Sequence, residues 1–428
     1  MHTVETRQIT PSITLTCVKT DKFRTGSLSF NIITGLKQET AAKSALLTRV
    51  LRRGTENNPD MESLSAALDR LYGARVEPMI KKKGELHIIG FYADFPDSRF
   101  LPDSNDLAEK TFSLLGDILL SPVKQDGLLL PDYVESEKNN LIDDIRANLN
   151  DKRAYSIKCL LNKMCHNENF RFSRLGEEDE VLSITNETLT THYQSILSGS
   201  RIEILYCGAA ETERIESAIK KALYKMPEQT VTTVPKTKVI LYPEISPPRR
   251  FSEELDVSQG KISIGFRLGK FMEGTPPDIP ALHVFNAIYG SSATSKLFLN
   301  VREKLSLCYY VSTTIDKEKG IMVVTSGVDF SNFDAALNEI LHQLENVKNG
   351  QIEEWELNAA KRAIISSIKA AMDRPGGLEE LYFSSLVSSV KHDPYDLCDL
   401  IESVTIDRVV NVSSDISTDT IHILTNKT

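Results

Sequence analysis

The spacing of hydrophobic and polar positions predicts a sheet with helices inserted between its strands. Strand patterns occur in residues 10–35, 74–80, 85–95 and 201–207. Helical spacing, with apolar positions three and four residues apart, occurs in residues 39–51, 61–71, 107–120 and for most of 132–165. Because strands and helices bury apolar side chains at different periods, these stretches predict alternating strands and helices in the first half of the chain.

The second half of the chain repeats this order of elements. The segment LYGARVEPMIKKKGELHIIGFYADF (71–95) has a counterpart in LCYYVSTTIDKEKGIMVVTSGVDF (307–330), and a lysine-rich turn ending in Gly divides each. A long helical stretch follows each segment, at 107–120 and at 333–347. Two copies of a β-α-α-β-β-α-α pattern predict an α+β fold of two duplicated domains, each a mostly antiparallel sheet with helices packed on it.

A stretch rich in proline and threonine lies between the two copies. It contains Pro227, Pro235, Pro243, Pro247 and Pro248. Such a cluster interrupts helices and strands and is typical of a linker. We therefore expect an N-terminal domain at residues 1–226, a linker at 227–250 and a C-terminal domain at 251–428.

Composition and charge exclude several classes of protein. The chain has 428 residues, of which 41% are hydrophobic and 25% charged, as expected for a soluble protein with two or more domains. The net charge of −9 argues against a general nucleic-acid-binding protein, which would carry a basic face. We therefore expect no nucleic-acid partner. The first residues have no signal-peptide pattern and no run reaches 18 apolar residues, so we also expect no membrane association.

The six cysteines are scattered and include no CxxC pair. This is no disulfide framework, and it favours a cytoplasmic location. Cys159, Cys165 and His166 come nearest to a set of metal ligands. On a helix the two thiols would lie on different faces, so buried free thiols explain this pattern better than a metal site.

The segment SSATSKLFLNVREKLSLCYY (291–310) carries the main candidate site. Its predicted helix has one apolar face, made by Leu297, Phe298, Val301 and Leu305. Arg302 lies on this helix, and Tyr309 follows seven residues later at the start of a strand. A planar cation beside a phenol suits the binding of a peptide carbonyl or carboxylate. The alternative interpretation is a surface helix with a neighbouring charge pair, Arg302 and Glu303.

The stretch LFLNVREKLSLCYYV resembles the "LF…REK.GL.Y.V" segment of the pitrilysin/insulinase-type zinc peptidases, which include the mitochondrial processing peptidases and the core proteins of respiratory complex III. The resemblance extends over about residues 10–420 and implies two half-molecules joined by a linker into a clam-like shell. It also implies that Arg302 and Tyr309 bind the substrate backbone. One departure is Leu305-Ser306, where the family usually has a basic residue and Gly.

The catalytic motif of that family is missing from the chain. Its H-x-x-E-H motif, two zinc ligands with a general base between them, falls on Ala45–Arg49. The third ligand position falls on Asp144, for which we expect a solvated helix face. No His lies between His2 and His87, so a shift of the alignment restores nothing. We expect no catalytic residue, no metal and no cofactor.

Other motifs do not replace the missing one. The sequence has no G-x-S-x-G, no phosphate-binding loop and no dinucleotide-binding glycine pattern. His87 alternates along a predicted strand and His192 lies in an apolar helical context, so both are expected to pack in or near the core.

The chain has the binding residues of the site and lacks the catalytic ones. The resembled family includes heterodimers in which one subunit carries H-x-x-E-H and the other carries the Arg/Tyr pair. The leading hypothesis is a non-catalytic subunit that binds a peptide or protein substrate through Arg302 and Tyr309. Its partner would be a zinc-bearing catalytic paralogue or a second copy of the chain. The alternative is a structural or accessory protein without peptide binding, since the chain is also similar to a bacterial subgroup named for association with elongation factor P modification.

Overall fold

The computed structural model describes residues 2–102, 107–230, 233–273, 278–388 and 391–427. The strands are β1 Thr3–Thr10, β2 Ile13–Lys19, β3 Thr25–Gly35, β4 Arg75–Lys83, β5 Leu86–Pro96, β6 Lys124–Gln125, β7 Leu128–Leu129, β8 Arg201–Gly208, β9 Arg249–Leu255, β10 Gly260–Arg267, β11 Cys308–Asp316, β12 Ile321–Val328 and β13 Ser417–Asn426. The α-helices are α1 Gln38–Leu51, α2 Met61–Asp69, α3 Leu107–Leu120, α4 Pro131–Asn150, α5 Lys152–Met164, α6 Glu178–Leu182, α7 Asn186–Gly199, α8 Thr212–Ala222, α9 Ile279–Asn286, α10 Phe333–Lys348, α11 Glu354–Ala371, α12 Pro375–Val387, α13 Pro394–Glu402 and α14 Ile406–Ser413. Two further helices with wider turns are Ala287–Ser291 and Leu297–Lys304. Among the helices described, none is both long enough and apolar enough to cross a membrane.

Packing divides the chain into two units that do not follow the sequence order. The first unit comprises Met1–Arg146, Phe172–Lys236 and Met372–Ser384, and the second comprises Ala147–Arg171, Thr237–Ala371 and Ser385–Thr428. This assignment departs from the expected division into 1–226 and 251–428 at two segments. The segment with α5 packs in the second unit, and most of α12 packs in the first. Helix α5 packs on β10 and β13, and α12 lies against the first sheet, where its Glu379 accepts a hydrogen bond from Ser29 of β3.

The predicted linker has no regular structure where it is described before β9. Residues 227–230 and 233–248 form neither helix nor strand. Residues 231 and 232 lie outside the described residues. The last two residues of the predicted linker, Arg249 and Arg250, begin β9 instead, because they pair with β13.

The first unit is built on a sheet with the strand order β1-β2-β8-β3-β5-β4. All neighbours are antiparallel except β2 and β8, which run parallel. Along β3, Leu28, Phe30 and Ile32 belong to a core that also contains side chains of α1 and α3. The alternate positions of β3 face the other way and are buried too, and one of them, Ser29, donates a hydrogen bond to Glu379 of α12. Both faces of this sheet are therefore covered.

The second unit repeats this topology. Its sheet has the order β11-β12-β10-β13-β9, which matches β4-β5-β3-β8-β2 of the first unit strand for strand. The parallel pair is again the corresponding one, β13 with β9. The predicted α+β fold with two duplicated, mostly antiparallel sheets is confirmed, because pairing order and direction agree in both copies.

Helix α5 covers the second face of this second sheet at close range. A Cβ at Gly265 of β10 would lie 2.3 Å from Met164 Sδ of α5, so a larger residue at this position would force the flexible Met164 side chain to move. The covered face carries polar residues, among them Arg267, which is 2% exposed. Burial on this scale requires that each charged group find a partner.

The partners form a buried charge cluster centred on Glu168, just after α5. Glu168 accepts from Arg267 Nη2 at 2.6 Å and lies 2.7 Å from Lys319 Nζ. Arg267 Nε also donates to Asp419 Oδ2 at 2.9 Å. Burial alone would raise the pKa of Glu168, but the hydrogen bonds from Arg267 and Lys319 more than offset this and lower it. Glu168 is therefore ionised at neutral pH.

We predict that Glu168→Gln lowers the unfolding free energy by about 3–5 kcal/mol at pH 7, because the buried Lys319 loses the carboxylate of Glu168 and the buried Arg267 keeps only that of Asp419. The sign of the pH dependence follows from the lowered pKa. The contribution of Glu168 is present above the unfolded value near 4.5 and is lost as pH falls through the lower folded value. Urea unfolding between pH 3 and 7 measures both effects. The exposed Glu354→Gln is the matched control, with a change within about 0.5 kcal/mol. An unchanged pH dependence in Glu168→Gln would contradict the prediction.

Candidate functional site

The helix Leu297–Lys304 places Arg302 at the surface of the second unit. Leu297 and Val301 are fully buried and anchor the helix in the core. Leu305 is 46% exposed, so the predicted apolar face of four residues is wrong at its last member. The reason is the wide turn, since the Leu305 N–H bonds to Asn300 O five residues earlier, and the side chains no longer follow the period of an α-helix.

Ser306 reverses the chain at the end of this helix. Its φ of 50° lies in the left-handed region, and the N–H of the next residue, Leu307, bonds back to Val301 O at 2.9 Å. This is the conformation for which glycine is the default, and glycine is what the resembled family usually has here. A residue with a Cβ costs roughly 1–2 kcal/mol in this conformation. The reversal lets β11 begin at Cys308 and sets the position of Tyr309.

Arg302 and Tyr309 line one cavity of about 370 Å³. The lining residues are Arg302, Glu303, Ser306, Leu307, Cys308, Tyr309 and Asp329. The structure thus brings together the two residues that the sequence singled out, although a helix end and a turn separate them.

The polar groups of the cavity are exposed and partly paired. The Arg302 guanidinium lies 4.8 Å from the Phe298 ring centroid, and its Nε is 3.6 Å from Glu303 Oε1. The Tyr309 hydroxyl donates to Asp329 Oδ1 at 2.9 Å. This hydrogen bond raises the pKa of Tyr309, so the phenol keeps its proton at neutral pH. The cavity therefore offers donors from Arg302 and Tyr309 beside two carboxylate acceptors.

Asp329 is a cavity residue that the sequence analysis missed. It follows β12, which pairs antiparallel with β11 so that Cys308 lies opposite Val328. A bulge between Cys308 and Tyr310 in this pairing leaves Tyr309 beside Asp329. One signal could have found it, because both repeated segments end in Asp-Phe, at 94–95 and 329–330.

The position of the missing metal motif lies on α1 in the first unit. Ala45 is fully buried, and the Thr48 hydroxyl donates to the Ala45 carbonyl at 3.1 Å. Arg49 Nη2 donates to Asp144 Oδ2 of α4 at 2.5 Å. An ion pair thus occupies two of the positions at which the resemblance would place zinc ligands. These residues do not fit a zinc ion, because they offer a single carboxylate and a permanent positive charge beside it.

His87 and His192 are packed residues of the first unit. His87 is fully buried, and its Nε2 lies 2.9 Å from the Arg174 carbonyl oxygen. His192 Nε2 lies 2.9 Å from Ser44 Oγ. Burial lowers the pKa of each imidazole to about 4, so both are neutral at pH 7.

We predict that Ser306→Val lowers the unfolding free energy by about 1–2 kcal/mol, because a β-branched side chain is disfavoured at positive φ. Ser306→Gly removes the steric conflict but increases the freedom of the unfolded chain. These two effects oppose each other, so the unfolding free energy should fall by no more than about 1 kcal/mol or should rise. Thermal and urea unfolding of the two variants measure the difference. Equal stability of the valine and glycine variants would refute the left-handed conformation at this residue.

Comparison with known proteins identifies an inactive metallopeptidase family. A family model described as "Peptidase M16 inactive domain" matches residues 183–364. The chain is 35% identical over 412 residues to the "probable inactive metalloprotease YmfF" of Bacillus subtilis (strain 168), covering 96% of this chain and 95% of that protein.

Solved structures show the same fold over the whole chain. A conserved protein from Enterococcus faecalis V583 superposes with a TM-score of 0.89 at 26% identity, covering 99% of both chains. A protease from Helicobacter pylori superposes with a TM-score of 0.79 at 14% identity, covering 99% of this chain and 100% of that one, and supports the fold alone. With a relative of this identity over nearly its full length, and with Ala45, Thr48 and Arg49 at the motif positions, the chain belongs to the M16 metallopeptidase family as a member without the zinc-binding motif.

Proposed function

We propose that the chain is a non-catalytic, cytoplasmic subunit that binds a peptide or protein substrate for a zinc-bearing paralogue of the same family. One observation carries this proposal. Arg302 and Tyr309 line a single open cavity, while an Arg49–Asp144 ion pair stands at the metal position. A chain with that combination can hold a peptide and needs a partner to cleave it.

The charges of the cavity favour the internal backbone of a peptide over its free C-terminus. Arg302 and Tyr309 can donate to a peptide carbonyl, and the carboxylates of Glu303 and Asp329 can accept from peptide N–H groups. One cation and two carboxylates leave the cavity with a net negative charge, which repels a terminal carboxylate. A neutral peptide group satisfies donors and acceptors together.

The first test is the identity of the partner. A tagged copy of the chain, expressed at native level in its source cells and purified at low salt, should retain a chain of similar size with an H-x-x-E-H motif in equal amount. Mass spectrometry identifies that chain and its stoichiometry. Recovery of the tagged chain with copies of itself alone would contradict the heterodimer.

We predict that Arg302→Ala lowers kcat/KM of the reconstituted pair by roughly ten- to a hundredfold. The reason is the loss of a charge-assisted hydrogen bond worth about 1.5–3 kcal/mol. Tyr309→Phe should cost less, since a neutral hydrogen bond contributes about 0.5–1.5 kcal/mol. Arg362→Ala, on the exposed face of α11 in the same unit, is the matched control and should leave kcat/KM unchanged. A fluorogenic peptide library provides the assay.

A second prediction separates the two modes of peptide binding. Amidating the C-terminus of the best peptide should leave kcat/KM nearly unchanged, because the cavity binds internal backbone. A large loss on amidation would instead indicate that Arg302 binds the terminal carboxylate.

One observation favours a second candidate, a scaffold or accessory role without peptide binding. Tyr309 is paired with Asp329 and Arg302 lies near Glu303, so the donors of the cavity have partners within the protein. Under this candidate, Arg302→Ala leaves both assembly and cellular function intact. Loss of activity in an assembled complex excludes it.

A further inference from the structure

A cysteine, a glutamate and a histidine meet where α5 packs on the second sheet. Cys159 comes from α5, Glu253 from β9 and His422 from β13. Their ligand atoms all lie within 4.8 Å of one another. The parallel pairing of β9 with β13 sets Phe251 opposite His422, and Glu253 is therefore on the same sheet face two residues further along.

His422 is held in a fixed orientation. The residue is 2% exposed, and its Nδ1 lies 3.1 Å from Ser156 Oγ, which in turn lies 2.8 Å from Ser263 Oγ. When the Ser156 hydroxyl donates to Ser263, its oxygen is free to accept the Nδ1 proton of His422. This tautomer points the Nε2 lone pair at the cluster, as the outer hydrogen bonds of metal-binding histidines do.

Glu253 and Cys159 complete a mixed set of ligands. Glu253 Oε1 accepts from the Tyr155 hydroxyl at 2.6 Å, while Oε2 lies 3.5 Å from His422 Nε2. Ligands about 2.0–2.3 Å from a tetrahedral ion lie roughly 3.4–3.7 Å apart, so this pair already has a suitable separation. Cys159 is partly exposed and can approach by rotation about its own side-chain bond.

We propose that Cys159, Glu253 and His422 bind one zinc ion, with water in the fourth position. Sulfur, nitrogen and oxygen ligands in this mixture favour zinc over magnesium or calcium, which take oxygen ligands alone. A thiolate and a carboxylate cancel the charge of a dication, which suits a half-buried place. The Glu253 side chain is 35% exposed, so solvent can reach the fourth position.

This site is separate from the family's metal motif and independent of the proposed function. It lies in the second unit, whereas the motif positions Ala45–Arg49 lie in the first. The sequence analysis grouped Cys159 with Cys165 and His166, but the structure pairs it with residues from two distant strands.

Cobalt and zinc titrations of the full chain test this proposal. Metal-free protein should take up one Co²⁺ with a thiolate-to-cobalt charge-transfer band in the near ultraviolet, and one equivalent of Zn²⁺ should remove the band. Cys159→Ser should abolish the band and weaken zinc binding by about a hundredfold, measured against a chelating indicator. Cys398→Ser, which alters a buried cysteine of α13, is the matched control and should keep the band.

A second variant tests the orienting hydrogen bond. Ser156→Ala should keep the charge-transfer band but weaken zinc binding by roughly ten- to a hundredfold, as loss of an outer hydrogen bond to a metal-binding histidine does. Zinc should also raise the Tm of the unaltered chain, which is a readout that needs no variant. Absence of the band and of the Tm shift would overturn the proposal. Equal zinc affinity in the unaltered chain and in a folded Cys159→Ser variant would also overturn it.

Discussion

Burial of both faces of each sheet is the constraint on which the rest of this structure depends. One face packs against several helices through apolar side chains, and the other packs against α12 in the first unit and α5 in the second. Polar strand residues on the faces that pack against α12 and α5 are buried away from water, so they need hydrogen-bonding partners inside the protein. Ser29 forms a hydrogen bond with Glu379, Arg267 with Glu168, and His422 with Ser156.

The same constraint explains why local chemistry gathers under these helices. The proposed zinc ligands and the charge cluster around Glu168 both lie beside α5, where polar groups are kept because they satisfy one another. The cavity of Arg302 is different in kind. It lies at an exposed helix end, where a wide turn and the left-handed Ser306 aim a guanidinium and a phenol at solvent. Strained backbone beside exposed donors is common where proteins bind ligands.

The metal-binding motif can be lost without loss of the cavity, because different contacts hold the residues of each. In the first unit, Arg49 places a fixed positive charge beside Asp144, which repels a dication whatever else is nearby. In the second unit, Leu297 and Val301 anchor the helix that carries Arg302 in the core of that unit. The catalytic chemistry of the family can therefore be absent while a peptide-binding surface of the kind proposed here is kept.

Local patterns in the sequence determined most elements and singled out two of the residues that line the cavity. The spacing of apolar residues predicted α3 with its last residue at Leu120, and the motif singled out Arg302 and Tyr309. These features depend on neighbours within about one helical turn or one strand. Only the tertiary structure decided the exposure of Leu305, the hydrogen bond between Tyr309 and Asp329, and the meeting of Cys159 with Glu253 and His422. Those depend on helix winding, strand pairing and the packing of α5 on a distant sheet, which are contacts between residues far apart in the chain and leave no periodic trace in it.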